Sequence, residues 1–186
     1  MAPTTTTKTV EEPVGVAKPH TEARVDADLP KPKETKEIPS TLAEMKGSID
    51  ESTFEQILEM DDDDSDRDFS KGIVFGFFDQ AESTFVKMED AFANQAYRRR
   101  EDLSDLSSLG HYLKGSSATL GLTKVKDACE KIQHYGAGKD ETGSTDEPEK
   151  KTSLSRIEKT LTQVKEDYKE VEAFLRKYYG EDEESA

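Results

Sequence analysis

The chain has 186 residues, with 26 Lys and Arg against 41 Asp and Glu and a formal charge of −15. That imbalance argues against a general electrostatic affinity for nucleic acid or for an anionic membrane. Hydrophobic residues make up only 32%, but the average hides a division: six of the seven prolines precede residue 40, whereas all fourteen Phe and Tyr residues lie at Phe54 or later. A single core is therefore expected in roughly the last three quarters of the sequence.

No apolar run approaches the roughly 20 residues that cross a bilayer, and the start Met1-Ala-Pro-Thr has no basic and apolar leader pattern. The lone Cys129 excludes an internal disulfide, and no Cys/His cluster has zinc-site spacing. These features predict a soluble protein of a reducing intracellular compartment.

Residues 1–45 mix Thr, Pro, Lys and Glu with isolated apolar side chains and show no period of 3.6 or 2.0, which predicts a disordered tail. One domain is expected over 46–180, followed by an acidic tail at 181–186. Ser52-Thr-Phe-Glu55 reads as a capping box leading into a short amphipathic helix with Phe54, Ile57, Leu58 and Met60, ended by the acidic run Asp61 to Asp66.

A long helix is predicted from Phe69 to Tyr97. Val74, Phe78, Ala81, Phe85, Met88 and Phe92 recur at four-three spacing and define its core stripe. Phe69, Ile73, Gly76 and Gln80 cluster a third of a turn or more away, a second stripe too apolar for ordinary solvated surface. A third helix fits Leu103 to Leu120 with Gly121 at its C′ position. Thr123 then caps a fourth helix through Gly136, with Val125, Ala128, Cys129 and Ile132 inward. Residues 138–151 read as a polar linker. Beyond them Leu154, Ile157, Leu161, Val164, Tyr168, Val171, Leu175 and Tyr178 form a three-four seam that calls for near-antiparallel neighbours. The sum is an all-α, up-down four-helix bundle with a short additional N-terminal helix.

The third helix holds the least ordinary residues. Counted at about 100° per residue, Lys114, Gly115 and Ala118 lie within about 60° of His111, whereas Leu106, Leu109, Leu113 and Leu120 lie opposite. His111 therefore points away from the core. Gly115, costing about 1 kcal/mol in mid-helix relative to alanine, leaves room one turn on for a second molecule. Lys114 puts positive charge where an anionic group on His111 would sit. A histidine imidazole, with an ordinary pKa of about 6.5, is largely neutral and nucleophilic near neutral pH. The set suits a helix that offers a histidine to a phosphoryl donor on another protein.

Competing chemistry is weaker. Gly110 and Gly115 have phosphate-loop spacing, but Ser116 stands where lysine must follow. Asp61 to Gly72 is rich in carboxylates, yet Asp66 occupies the required glycine and Gly72 the bidentate glutamate of a calcium loop. Ser116 and Ser117 lack a His/Asp partner at recognisable spacing. His20 falls in the tail, and His134 reads as a surface residue.

The run His111-Tyr-Leu-Lys-Gly-Ser-Ser-Ala-Thr-Leu-Gly-Leu122 resembles the histidine-containing phosphotransfer domain in its stand-alone fungal form. Met60 to Asp66, Phe69-Ser-Lys-Gly72, Phe78 to Phe85, Cys129-Glu-Lys-Ile-Gln133 and Lys177-Tyr-Tyr179 extend the likeness over about Ser52 to Tyr179. The resemblance implies a phosphorelay intermediate, not an enzyme, that accepts a phosphoryl group on His111 from the receiver aspartate of a hybrid sensor histidine kinase. It would pass the group to response-regulator receiver domains. Lys114 would stabilise the phosphoryl oxygens, Gly115 would clear the approach, and Gln133 would lie beside the histidine.

Thr53, Ile57, Met60, Phe69, Ile73, Gly76, Gln80 and Tyr112 would form the receiver-docking face. No cofactor or metal is expected on this chain, magnesium being a need of the receiver. A monomer, cytoplasmic and nuclear, without nucleic-acid or membrane partners, is the corresponding expectation. The family's usual basic residue shortly after Gln133 is missing: Ala137 stands there and Lys139 follows. A noncatalytic helical adaptor is the alternative from another class; a histidine kinase would need an ATP-binding domain with its glycine-rich boxes, and none is present.

Overall fold

The computed structural model describes residues 38–62, 67–95 and 102–181. Five α-helices follow one 3-10 turn at Leu42–Met45: α1 Glu51–Leu58, α2 Asp68–Gln95, α3 Asp102–Thr119, α4 Thr123–Gly136 and α5 Lys150–Tyr178. No strand forms among the described residues. Helix α2 packs on α3 and α5, and α4 packs on the same two. The four thus close a ring around one core, the four-helix bundle that the stripes predict.

The core stripe of α2 is buried at Val74, Phe78, Ala81, Phe85 and Met88, as is the α5 seam from Ile157 to Leu175. Phe92, Leu154 and Tyr178 are partly buried against that core. Two large side chains fall outside the four-three counts and are buried all the same, Phe77 on α2 and Phe174 on α5. Each of these helices has two packed neighbours, so its apolar arc is wider than one stripe. Tyr168 joins the layers, with its ring 5.4 Å from Phe85, 6.1 Å from Phe78 and 6.4 Å from Phe77. Burial pushes its hydroxyl pKa upward.

The N-terminal boundary differs from the expectation. Met45, assigned by composition to the tail, is 2% exposed, and so is Ile49. Lys177 donates from Nζ to the Ile38 carbonyl and to Ser40 Oγ, so the folded unit already includes Ile38. Single apolar residues without a period gave no sign of this, because they pack as isolated plugs. The rest of the predicted tail, residues 1–37, lies outside the described residues, as do Tyr97 and Asp63 to Asp66. At the other end Glu181, expected to begin an acidic tail, pairs with Lys71 at 3.0 Å and with Arg176 at 3.6 Å.

Two caps are corrected. Asp50, not Ser52, caps α1, its carboxylate accepting from the Thr53 amide at 2.8 Å. Thr123 is the first residue of α4 and its hydroxyl donates to the Gly47 carbonyl at 2.8 Å, tying α4 to the N-terminal segment. Gly121 does take the left-handed conformation, φ 69°. Its carbonyl accepts from the Asp50 amide, which seats the start of α1 against the end of α3.

The predicted polar linker is an ordered turn. Asp140 accepts from the amides of Ser144 and Thr145 and from the Thr142 hydroxyl. Those bonds, the Thr145 amide first, hold its carboxyl below the usual range. His134 Nδ1–H donates to the Glu141 carbonyl at 2.9 Å, so the residue read as mere surface latches this turn to α4.

Candidate functional site: the exposed face of α3

The position of His111 follows from how α3 is pinned. Leu106, Leu113 and Leu120 are buried and Leu109 is partly so, which turns the opposite arc outward. His111 and Gly115 are exposed and Lys114 is half-buried. Helices α3 and α4 come close because a glycine on each faces the other, Gly110 on α3 and Gly136 on α4. A Cβ on Gly110 would lie 2.9 Å from both the Cys129 carbonyl oxygen and the Gln133 amide nitrogen. One on Gly136 would lie 2.5 Å from the Ser107 amide nitrogen. The Ser107 hydroxyl adds a bond to the Gln133 carbonyl at 2.9 Å.

The frame around His111 is thus two backbones locked in contact, with Gln133 seated against the turn that carries the histidine. Its Oε1 is buried and has no hydrogen-bond partner among the described residues, an acceptor left open at the edge of the site. Lys114, three residues after His111, reaches across to α4, where its Nζ lies 3.3 Å from Glu130 Oε1. Among the described residues nothing lies within 4 Å of where a Cβ on Gly115 would stand, so none of them fixes its identity. Its openness is what an approaching molecule would need. Lys139, the candidate for the missing basic residue, is paired with Asp146 in the α4–α5 turn. Cys129 is no rival nucleophile, since burial pushes its thiol up to about 12.

The residues expected to dock a partner divide. Met60, Phe69 and Tyr112 are exposed at 59%, 48% and 57%, and among the described large apolar side chains only Val86 and Ile38 are exposed to a comparable degree. Asp61 Oδ1 accepts from the Ser70 amide at 2.8 Å, which brings the segment of Met60 beside that of Phe69. Gly76 is exposed, and Gln80 and Thr53 are half-buried. Ile73 is half-buried against the core. Ile57 is a correction: at 6% exposure it belongs to the core, because α1 lies flat on the bundle with Phe54 against Tyr178. Sequence reasoning missed Gly110, Gly136 and Glu130. Gly110 carried a signal, a mid-helix glycine with no turn to explain it, whereas Gly136 stands where a helix end already accounts for it, and the periodicity of one helix cannot name the neighbour that needs either.

A family model described as the Hpt domain matches residues 73–173. The chain is 45% identical over 138 residues to multistep phosphorelay regulator 1 of Schizosaccharomyces pombe, which covers 74% of this chain and 44% of that protein. It is 44% identical over 88 residues to phosphorelay intermediate protein YPD1 of Saccharomyces cerevisiae, covering 47% of this chain and 48% of that one. The matched region therefore spans less than half the length of these curated relatives.

Among solved structures, the fold is similar to that of Ypd1 of Saccharomyces cerevisiae co-crystallised with the receiver domain of its downstream response regulator Ssk1. The TM-score is 0.60 with 34% identity, over 77% of this chain and 97% of that one. It is likewise similar to the yeast phosphorelay protein YPD1 crystallised alone, with TM-score 0.58 and 30% identity, covering 72% of this chain and 95% of that one. With a matched stretch of more than half its length, running from α2 into α5 and enclosing the whole His111 helix, the chain belongs to the Hpt-domain family.

Proposed function

We propose that this protein is a phosphorelay intermediate in which His111 carries the phosphoryl group between receiver domains. The observation that carries this reading is the exposed imidazole on a locked α3–α4 frame, with a lysine and open space one turn on. Similarity to a phosphorelay protein co-crystallised with a receiver domain supports the same reading. The donor is the receiver aspartyl phosphate of a hybrid sensor histidine kinase, and the acceptors are receiver aspartates of response regulators.

In the first step a ring nitrogen lone pair of His111 attacks phosphorus. The N–P bond forms as the O–P bond to the donor aspartate breaks, and the leaving carboxylate keeps that electron pair. The ring's other nitrogen keeps its proton. Onward transfer reverses these events with the next aspartate as nucleophile. The Lys114 ammonium offsets charge on the phosphoryl oxygens, while the space over Gly115 admits the donor close to the ring. Positioning and electrostatics suffice, because phosphoryl transfer asks little covalent work of the protein.

Magnesium acts on the receiver's own carboxylates; among the described residues of this chain no group of three or more His, Cys, Asp or Glu could hold a metal ion. The exposed apolar residues Met60, Phe69 and Tyr112 serve receiver docking, with Thr53, Ile73, Gly76 and Gln80 contributing from the partly covered margin. The carrier works as a monomer in cytoplasm and nucleus.

The test is transfer of labelled phosphate from a phosphorylated receiver domain to wild type and to His111→Gln. The wild-type protein should take up acid-labile label and the variant none. Binding without any labelling would favour a noncatalytic adaptor.

A further inference from the structure

The cation beside His111 is not free in the resting protein. Lys114 Nζ lies 3.3 Å from Oε1 of Glu130 on α4, with the lysine side chain 25% exposed and the glutamate 45%. Gly110 and Gly136 let the α3 and α4 backbones approach closely, which puts Glu130 within reach of Lys114 across the two helices. Lys126, one turn before Glu130 on the same helix, lies against Asp127 instead.

We propose that Glu130 is a positioning residue that acts through Lys114 to keep the phosphoryl group on His111 poised for onward transfer. The inference rests on the carrier reading above. Without phosphate, Glu130 holds the ammonium close to the site. When the phosphoryl group arrives, its oxygens and the Glu130 carboxylate compete for the same ammonium, and a carboxylate near a phosphoryl dianion is itself repelled. Both effects raise the free energy of phosphorylated His111 relative to the empty histidine. A carrier that bound its phosphoryl group with an unopposed lysine would hold it longer and give it up less readily.

The experiment measures the equilibrium constant for phosphoryl exchange between a receiver domain and this protein, with magnesium present on the receiver. The proteins compared are wild type, Glu130→Gln, Glu130→Asp, Lys114→Ala and the Lys114→Ala/Glu130→Gln double variant, with His111→Gln as control. Circular dichroism melts show that each is folded. Glu130→Gln should shift the equilibrium toward phosphorylated His111 about two- to fivefold, the range for a partly exposed ion pair. Glu130→Asp, which keeps the charge, should stay nearer wild type.

The shift should shrink in the Lys114→Ala background, giving a nonadditive cycle. It should also shrink as salt rises from about 50 to about 500 mM, because the charges are partly exposed. An unshifted equilibrium in Glu130→Gln, or a shift of equal size without Lys114, overturns the role of Glu130 while labelling that depends on His111 leaves the carrier reading standing. Label that persists in His111→Gln, or no labelling of wild type by any receiver, overturns the carrier reading and this inference with it.

Discussion

One substitution, glycine to alanine, should have opposite signs at two places five residues apart on α3. At Gly110 the added methyl carbon would lie 2.9 Å from the Cys129 carbonyl oxygen, 2.9 Å from the Gln133 amide nitrogen and 3.3 Å from Gln133 Cα. These are backbone atoms of α4 and cannot rotate away, and the two shortest contacts are about 0.5 Å inside the 3.4 Å at which ordinary contact begins. The helices must separate or tilt, an overpacking cost of about 1–3 kcal/mol, against which the better helix propensity of alanine returns about 1 kcal/mol.

At Gly115 nothing stands within 4 Å, so only the propensity gain of about 0.5–1 kcal/mol remains. With a urea m-value of about 2 kcal/mol/M, Gly110→Ala should lower the midpoint by up to about 1 M and Gly115→Ala should raise it by about 0.3–0.5 M. Equilibrium urea denaturation followed by circular dichroism reads both. A Gly110→Ala protein stabilised as much as Gly115→Ala would refute the close α3–α4 contact on which the site's geometry depends.

Phe69→Ala, at a 48% exposed ring, should leave the urea midpoint nearly unchanged yet weaken receiver binding, measured by calorimetry; Phe78→Ala, at 1% exposure, should cost about 3–5 kcal/mol of stability instead. Met45→Ala should cost about 2–4 kcal/mol, because the side chain is 2% exposed in the bundle, and a neutral result would return residues 38–45 to the tail. The amide of Thr53 holds the Asp50 carboxyl below its ordinary 3.8, so the folded protein binds that proton less readily than the unfolded chain. The stability this gives is present above about pH 4 and is lost as pH falls through the lowered value. Asp50→Asn, which keeps the cap, should stay close to wild type at pH 7 and lose less stability between about pH 5 and 2, read from thermal melts across that range.

The outward arc of α3 was legible because it is a property of one helix: the leucines mark the inside and His111 falls opposite. The same counting found the core stripe of α2 and the α5 seam. It lost Phe77 and Phe174, since a helix wedged between two neighbours buries more than one stripe. The family resemblance placed Ile57 on a docking surface, whereas the packing of α1 on its own bundle leaves that side chain 6% exposed.

The capping box failed for a local reason: Asp50 reaches the Thr53 amide two residues before the predicted cap. What no period could supply were contacts between elements, namely the glycine-lined approach of α3 to α4, the Lys114–Glu130 pair and the latch from His134 to the α4–α5 turn. Those contacts distinguish a histidine merely on the surface from one held in a built setting.

Mass-spectrometric mapping of the modified side chain tests the central claim most directly. The protein is loaded by a phosphorylated receiver domain, kept at neutral to mildly basic pH to preserve an N–P bond, and fragmented without loss of the phosphoryl group. The account predicts phosphate on His111 alone. Phosphate on His134, on a serine of α3 or on a carboxylate, with His111 unmodified, would contradict it.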